Sequence, residues 1–259
     1  LVNRSRPGQL DASQSTGIRK FDARRVLGEF EYLVRHGVSN VRISDEMFFL
    51  DRRHYGPIVQ GLIDRDLGLN LWAYARVDTV RPEYLAQFKR AGINWLALGI
   101  EAGNKAIRRE AAKGSFEDTD VRAVVREIQA HGINVVGNYI FGLPEDTLET
   151  MRQTLDLALE LQTEHANFYP CMALPGSPLA RSVSEGPRTW SSYGFLAYDC
   201  VPLPTKSLSA AEVLRFRDEA WQTYFTDPGY LALVERKFGR ADHLRQQAKL
   251  ALKRKLLDV

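Results

Sequence analysis

The sequence predicts an α/β fold: a partial (β/α) barrel of the TIM type with parallel strands, followed by a helical C-terminal extension. One observation is a fourfold repeat, at residues 37–41, 68–72, 92–96 and 132–136, in which Gly, an apolar residue and Ser or Asn open an apolar run. Gly suits the left-handed position that ends a helix, and buried parallel strands are nearly continuous apolar runs. The other observation is that polar residues follow each run. The predicted order is α, then β-α four times, then β.

The elements follow from this order. Strands are predicted near residues 40–46, 69–76, 94–101, 134–141 and 165–172. Helical periodicity fills the segments between and before them. In the first helix Val26, Phe30 and Leu33 share one face and Asp22 is a candidate N-cap. The predicted helices cover 23–35, 55–64, 82–90, 118–130 and 147–161, and Asp146 and Glu149 are spaced like a capping box before the last of these.

Polar side chains cluster where each strand ends. Sites of (β/α) barrels are built at the carboxyl ends of the strands, because those ends meet at one face of the barrel. We therefore expect strand-end residues to converge on one cavity. The residues expected there are Asp45, Glu46, Glu101, Asn138 and Tyr169.

The two ends of the chain are predicted to differ from the barrel. Residues 1–17 are predicted to form a loop, 18–180 the barrel, and 181–259 an irregular aromatic segment with helices at 209–225, 230–238 and 242–257. Ser209 and Glu212 are spaced like a capping box at the start of the first of these helices. Basic residues in the last helix, Arg254 among them, are expected on a solvated face. The strand near Val41 has no partner on one side, so we expect an upstream segment to carry the first strand.

Composition narrows the function classes. The net charge of +3 over 259 residues favours neither a nucleic-acid binder nor a trap for acidic substrates. No apolar run reaches the ~18 residues of a membrane span. Two cysteines, Cys171 and Cys200, form no disulfide framework and no four-ligand metal site. A cytoplasmic, reducing location fits this cysteine usage.

Three motifs at successive strand ends resemble a known family. They are Trp-Leu-Ala-Leu-Gly-Ile-Glu-Ala-Gly-Asn at 95–104, Asn-Tyr-Ile-Phe-Gly-Leu-Pro-Glu-Asp-Thr at 138–147 and Ala-Leu-Pro-Gly-Ser-Pro at 173–178. The ordered series is similar to radical S-adenosylmethionine (SAM) enzymes. It is most similar to the cobalamin-dependent members, in which a cobalamin-binding domain precedes the barrel. The resemblance covers roughly residues 18–259.

The resemblance implies three cofactors and two partners. The cofactors are SAM, a [4Fe–4S] cluster held by a Cys-x-x-x-Cys-x-x-Cys loop, and, in some members, cobalamin in a separate upstream domain. Cys171 and Cys200 are 29 residues apart and cannot replace that loop, so this chain is expected to supply no metal ligand. Either the loop lies upstream or the chain is a degenerate homologue. The implied partners are a small-molecule substrate and the segment that carries the first strand and the cluster loop.

The resemblance also assigns SAM contacts. The methionine ammonium would be bound by Ser44, Asp45 and Glu46, since carboxylates suit a cation. The ribose hydroxyls would be bound by Glu101, with help from Asn104.

Further residues of the resemblance lie near the adenine. Ile140 would pack on the base and Gly142 would let the backbone approach, while Asn138 stands where the family pattern has its first Gly. The last strand, near Tyr169, would add backbone contacts. Arg76 either pairs with Asp78 or faces SAM or substrate.

The implied reaction is reductive cleavage of SAM and hydrogen abstraction, with cobalamin-dependent methyl transfer or ring formation in some members. This chain alone is expected to be inactive. Two alternatives stay open. One is a cluster-free barrel enzyme that uses Glu101, Asp45 and Glu46 as acid–base groups, and the other is a degenerate barrel that binds SAM or a partner protein without reacting.

Overall fold

A computed structural model describes residues 20–112, 119–182, 189–239, 242, 254 and 256–257. Its sheet has five parallel strands in sequential order, curled into a partial barrel with helices on the outside. This confirms the predicted fold class. The strands are β1 (Asn40–Ile43), β2 (Asn70–Arg76), β3 (Ile93–Glu101), β4 (Asn134–Phe141) and β5 (His165–Pro170).

The helices alternate with the strands as predicted, with two additions. The short helices α4 and α7 were not predicted, and α4 lies between β3 and the expected next helix. The bounds are α1 (Ala23–Arg35), α2 (Arg52–Arg65), α3 (Pro82–Arg90), α4 (Lys105–Ala112), α5 (Val121–Ala130), α6 (Leu148–Leu161), α7 (Pro178–Ser182), α8 (Ala210–Thr226) and α9 (Pro228–Phe238).

The repeat is explained at both of its ends. Its glycines have left-handed φ angles of 80°, 63°, 85° and 71°, as expected after a helix. Its asparagines form a ladder across the amino ends of the strands: Asn70 Nδ2 donates to Asn40 Oδ1 at 2.8 Å, and Asn94 Nδ2 donates to Asn70 Oδ1 at 3.0 Å. Lys89 Nζ donates to Asn94 Oδ1 at 2.6 Å. The ladder gives the polar position of the repeat a structural role.

The two faces of the sheet have different surroundings. Side chains on the outer face are buried against the helices and belong to the main core, and they include Leu71, Ala73, Leu98, Phe141 and Phe168. The inner face alternates with these positions. Along β2 its residues Asn70, Trp72 and Tyr74 are only half-buried, while Leu71, Ala73 and Ala75 between them are buried. Register places Trp72 beside Trp95. The inner face is therefore the accessible one.

Two helix starts test the predicted capping boxes. Ser209 and Glu212 form one before α8, as predicted. The box proposed for Asp146 and Glu149 was wrong, because Thr147 caps α6 and exchanges hydrogen bonds with Thr150. Asp146 instead is buried and accepts the N–H groups of residues 142 and 143 at 3.0 Å each, so it fixes the turn after β4.

The C-terminal extension packs on the barrel. Arg217 of α8 donates through Nε to the carbonyl of Phe168 in β5 at 2.7 Å, and Tyr224 Oη donates to the carbonyl of Thr163 at 2.7 Å. Arg254 was expected on a solvated face, which is wrong. It is fully buried, because it forms a two-bond pair with Asp218 and donates to two main-chain carbonyls.

Some predictions lie outside the described residues. These are the loop at 1–17, residue 118 at the start of the fourth predicted helix and most of the helix predicted over 242–257. Within the part of the chain that the structure describes, no helix is long and apolar enough to cross a membrane.

Candidate functional site

Glu101 ends β3 in an unusual backbone conformation. Its φ is +65°, and the pairing of β3 with β4 shifts register between Gly99 and Glu101. A left-handed conformation costs a residue with a side chain about 1–2 kcal/mol. Such strain persists where the surrounding structure enforces it, often at functional sites.

The strain places the Glu101 carboxylate over the inner face. A Cβ on Gly99 would lie 2.5 Å from Glu101 Oε1, so the absence of a side chain at 99 leaves room for the carboxylate. Gly99 pairs with Arg76 on one side and Asn138 on the other. The carboxylate therefore lies between the carboxyl ends of β2 and β4.

Glu101 is the most strongly perturbed acid of this region. Burial raises its pKa from 4.5 to about 7. Among the described residues no hydrogen bond or ion pair to its carboxylate is found. Burial, and to a smaller extent the charge of Glu101, raise the pKa of the nearby Tyr169 phenol. The Glu101 carboxylate is thus poorly solvated and has no partner among the described residues.

An open hollow of about 400 Å³ lies at this end of the inner face. Three of the five residues expected to converge line it, Glu46, Asn138 and Tyr169, and Glu101 is not among the lining residues. Ile140 lines it as well, together with Tyr74. The volume falls within the range of small-molecule sites.

Ser44 and Asp45 lie at the free edge of β1. Both line a separate hollow of about 540 Å³ between β1, α1 and α2. Asp45 Oδ1 accepts the N–H of Met47 at 2.8 Å, which turns the chain after the strand. Asp45 therefore does not share the hollow that Glu46 lines.

Two other predicted residues on the inner face are engaged with neighbours. Arg76 pairs with Asp78 through two hydrogen bonds of 2.9 and 2.8 Å, the structural alternative considered for it. Asn138 accepts a hydrogen bond from Asn167 Nδ2 at 2.9 Å and donates to the carbonyl of Leu98 at 3.2 Å. Asn167 lies beside it in register on β5, on the same face.

Asn104 and Gly142 contact the outer helices. Asn104 Oδ1 accepts the N–H groups of residues 106 and 107 at the start of α4, and its Nδ2 donates to Gln153 of α6. Gly142 has a φ of 82°, and a Cβ there would lie 2.4 Å from Val213 Cγ1. A glycine at 142 is therefore needed for the approach of α8.

Among the lining residues that sequence reasoning missed are two aromatic ones, Tyr74 and Phe195. Tyr74 lies two positions before Arg76, so strand alternation could have placed it on the same face. Phe195 comes from the irregular aromatic segment, and its ring lies 4.9 Å from that of Tyr169. No sequence signal marks Phe195, since its position depends on Arg254, which binds the carbonyl of Phe195 at 2.9 Å.

The described residues offer no metal centre. No group of three or more His, Cys, Asp or Glu side chains among them could hold an ion. Cys171 and Cys200 are both buried. The chain's two thiols therefore do not fit a cluster that needs three thiolates.

The amino-acid sequence is similar to that of known proteins. Residues 7–158, more than half of the chain, match the model of the radical SAM superfamily. The anaerobic magnesium-protoporphyrin IX monomethyl ester cyclase of Rubrivivax gelatinosus is 30% identical over 63% of this chain and 30% of its own length. The tryptophan 2-C-methyltransferase of Streptomyces laurentii is 26% identical over 62% of this chain and 29% of its own. The chain spans about a third of the length of such curated relatives.

Solved structures share the fold. The radical SAM methyltransferase TsrM of Kitasatospora setae, with cobalamin and a [4Fe–4S] cluster bound, superposes with a TM-score of 0.59 at 22% identity, over 78% of this chain and 42% of that one. Methylornithine synthase superposes with a TM-score of 0.52 at 16% identity, over 69% and 52%. Because the family model matches more than half of this chain, the chain belongs to the radical SAM superfamily.

Proposed function

We propose that this chain is the SAM-binding barrel portion of a radical SAM enzyme. The observation that carries the proposal is the Glu101 carboxylate, which the structure holds over the inner face without a partner among the described residues. A carboxylate can accept hydrogen bonds from both hydroxyls of a ribose. A SAM ribose at this point would satisfy the group that burial leaves poorly solvated.

The remainder of SAM would extend along the same end of the sheet. Ile140 and Tyr169 line the hollow beside Glu101 and offer apolar and aromatic surface for the adenine. The exposed acids Asp45 and Glu46 follow β1 and would attract the methionine ammonium. Arg76 and Asn138 pair with Gly99 from the two neighbouring strands, beside the Glu101 carboxylate. Both would contact the ligand in addition to the hydrogen bonds that they already make.

The cluster would come from a separate segment. The two buried cysteines cannot ligate it, and the free edge of β1 offers a place where an added parallel strand would pair. The apolar side chains of Val41 and Ile43 face the hollow beside that edge, together with Val26 and Leu33 of α1. Apolar lining of this kind supports the addition of a buried strand that carries the cysteine loop.

When bound together, SAM and a [4Fe–4S] cluster supply the radical that abstracts hydrogen from a substrate. This chain would bind and orient SAM and exclude water from its reactive end. Relatives named as methyltransferases and cyclases support methyl transfer or ring formation on a small molecule. Cobalamin, present in the TsrM structure, would bind to a further domain.

Calorimetry on three samples tests the proposal. They are the chain alone, the chain joined to a segment with Cys-x-x-x-Cys-x-x-Cys and reconstituted with iron and sulfide, and that joined protein with Glu101→Ala. The joined protein should hold about four irons and bind SAM, while the chain alone should bind SAM weakly and hold no stoichiometric cluster. Loss of hydrogen bonds to a charged acceptor costs ~1.5–3 kcal/mol, so Glu101→Ala should weaken binding about tenfold or more.

Glu31→Ala is the matched control. Glu31 is an acid on α1 that pairs with Arg65 on the outer surface, so its removal should leave the SAM affinity unchanged. Equal affinity in all three samples would contradict the proposal. A joined protein that binds SAM through Glu101 but forms no cluster would instead favour a SAM-binding barrel without catalysis.

A further inference from the structure

The turn that follows Glu101 lies directly against α6. The N–H of Gly103 donates to Thr154 Oγ1 at 2.9 Å. A Cβ on Gly103 would lie 2.3 Å from the carbonyl oxygen of Gln153, so only glycine allows this approach. The turn is therefore held from the side of α6.

Arg108 holds the same turn from the side of α4. Its Nε donates to the carbonyl of Ala102 at 2.9 Å and its Nη2 to the carbonyl of Gly103 at 3.1 Å. The side chain is buried, with 5% of the residue exposed. One guanidinium thus binds the carbonyls of the two residues that come directly after Glu101.

Within the part of the chain that the structure describes, the buried charge of Arg108 has no carboxylate partner. None of the ion pairs between described residues includes it. Burial, and then the positive charge of Arg122, lower the pKa of the guanidinium. Burying a cation without a carboxylate partner costs free energy. In return for this cost, Arg108 makes hydrogen bonds to the two carbonyls of the turn. Its effect on Glu101 must pass through the backbone.

We propose that Arg108 is a positioning residue that holds Glu101 in its left-handed conformation and so keeps the carboxylate over the inner face. Without this clamp the turn can relax, and the carboxylate can move away from Gly99 into water. What Glu101 binds rests on the proposed function. The clamp itself is a property of the ligand-free chain, so it can be tested without SAM.

The test is a ¹³C NMR titration of the Glu101 carboxyl in the ligand-free chain, with the signal assigned through Glu101→Gln. Arg108→Met should lower the measured pKa by about one unit or more toward the ordinary value, because the released carboxylate gains water. Arg108→Lys, which keeps a donor, should retain most of the elevation. Arg65→Met is the matched control, since Arg65 also donates to a main-chain carbonyl, that of Gly61, on the remote helix α2.

The direction of the shift separates a clamp from a charge effect. If Arg108 stabilised the carboxylate by its charge, its removal would raise the pKa of Glu101. An unchanged or raised pKa in Arg108→Met would overturn the proposal. Should Arg108→Met fail to fold, Thr154→Val removes the other hold on the turn and should lower the pKa in the same direction. An unchanged value in Thr154→Val would then count against the clamp. Weak SAM binding would bear on the proposed function and leave this result unaffected.

Discussion

Two glutamates at opposite ends of the sheet, Glu164 buried and Glu101 half-buried, have opposite surroundings. Glu164, before β5, accepts the N–H of Val135 at 2.7 Å, the amide of Gln129 and the ammonium of Lys237. Glu101, at the end of β3, has no described hydrogen bond to its carboxylate, and burial raises its pKa to about 7. The acid at the amino end is fully paired by the protein, and the acid at the carboxyl end is left for something else.

The same contrast extends to the neighbouring side chains. At the amino end the ladder of Asn40, Asn70 and Asn94 saturates polar groups across three strands. At the carboxyl end Glu46 and Tyr169 face an open hollow. In (β/α) barrels the amino end serves stability and the carboxyl end serves function. The comparison therefore predicts that substitutions at the two ends have separable effects.

The largest effect on stability is expected from Glu164→Ala. Its side chain is fully buried, and its removal takes away the acceptor of the Val135 N–H, the partner of the exposed Lys237 and one of the acceptors of the Gln129 amide. A buried donor left unsatisfied costs about 1–3 kcal/mol, and the loss of the other two contacts adds to this, so a total of about 3 kcal/mol is expected. Urea denaturation of the variant should show a loss of this size. Glu160→Ala, which removes an exposed pair with Arg122, should cost far less, and equal losses would contradict the comparison.

Glu101→Gln should change the free energy of unfolding in the opposite direction, as a stabilisation. The folded-state pKa of about 7 lies above the value of 4.5 for an unfolded chain, so wild-type stability falls as the pH rises from about 4.5 through 7. The pKa difference corresponds to at most about 3 kcal/mol. The glutamine variant should equal the wild type near pH 4 and exceed it at pH 8. Denaturation at both pH values measures this, and a variant that is less stable at pH 8 would show that Glu101 is a structural acid like Glu164.

A smaller effect is expected at the asparagines. Asn70→Ala removes two side-chain hydrogen bonds of the ladder and should lower stability by about 1 kcal/mol without changing SAM affinity. Asn167→Ala, at the carboxyl end, frees the amide oxygen of Asn138 and should change SAM affinity more than it changes stability. Urea denaturation and calorimetry on the pair check this, and the reverse pattern would break the comparison.

The strand order and most helix bounds could be predicted, because each depends on local signals. These signals lie within a few consecutive residues. They are the Gly that follows a helix, the apolar runs of the strands, and helix caps such as Asp22 and Ser209. The inner and outer positions of β2 follow from alternation alone. The motif series likewise led to the prediction of a site at the carboxyl end that includes Glu101, and this remains a prediction.

The remainder depends on contacts between distant segments. Gly142 serves the approach of Val213, 71 positions later in the sequence, which no local pattern reveals. Phe195 lines the hollow, and its carbonyl is bound by Arg254, 59 positions later in the sequence. Register shifts also escaped prediction: the bulge between Gly99 and Glu101 decides where the carboxylate lies.

The central claim is that SAM binds at the carboxyl end of the inner face. Its most direct test compares the methyl signals of two residues on β4. Ile140 lines the hollow at the carboxyl end, and Val136 lines a hollow of about 460 Å³ at the amino end of the same face. Methyl NMR of the chain, titrated with millimolar SAM, reports both sites at once. The account predicts that the Ile140 methyl signals shift while those of Val136 do not. Shifts at Val136 alone, or at neither residue, would contradict it.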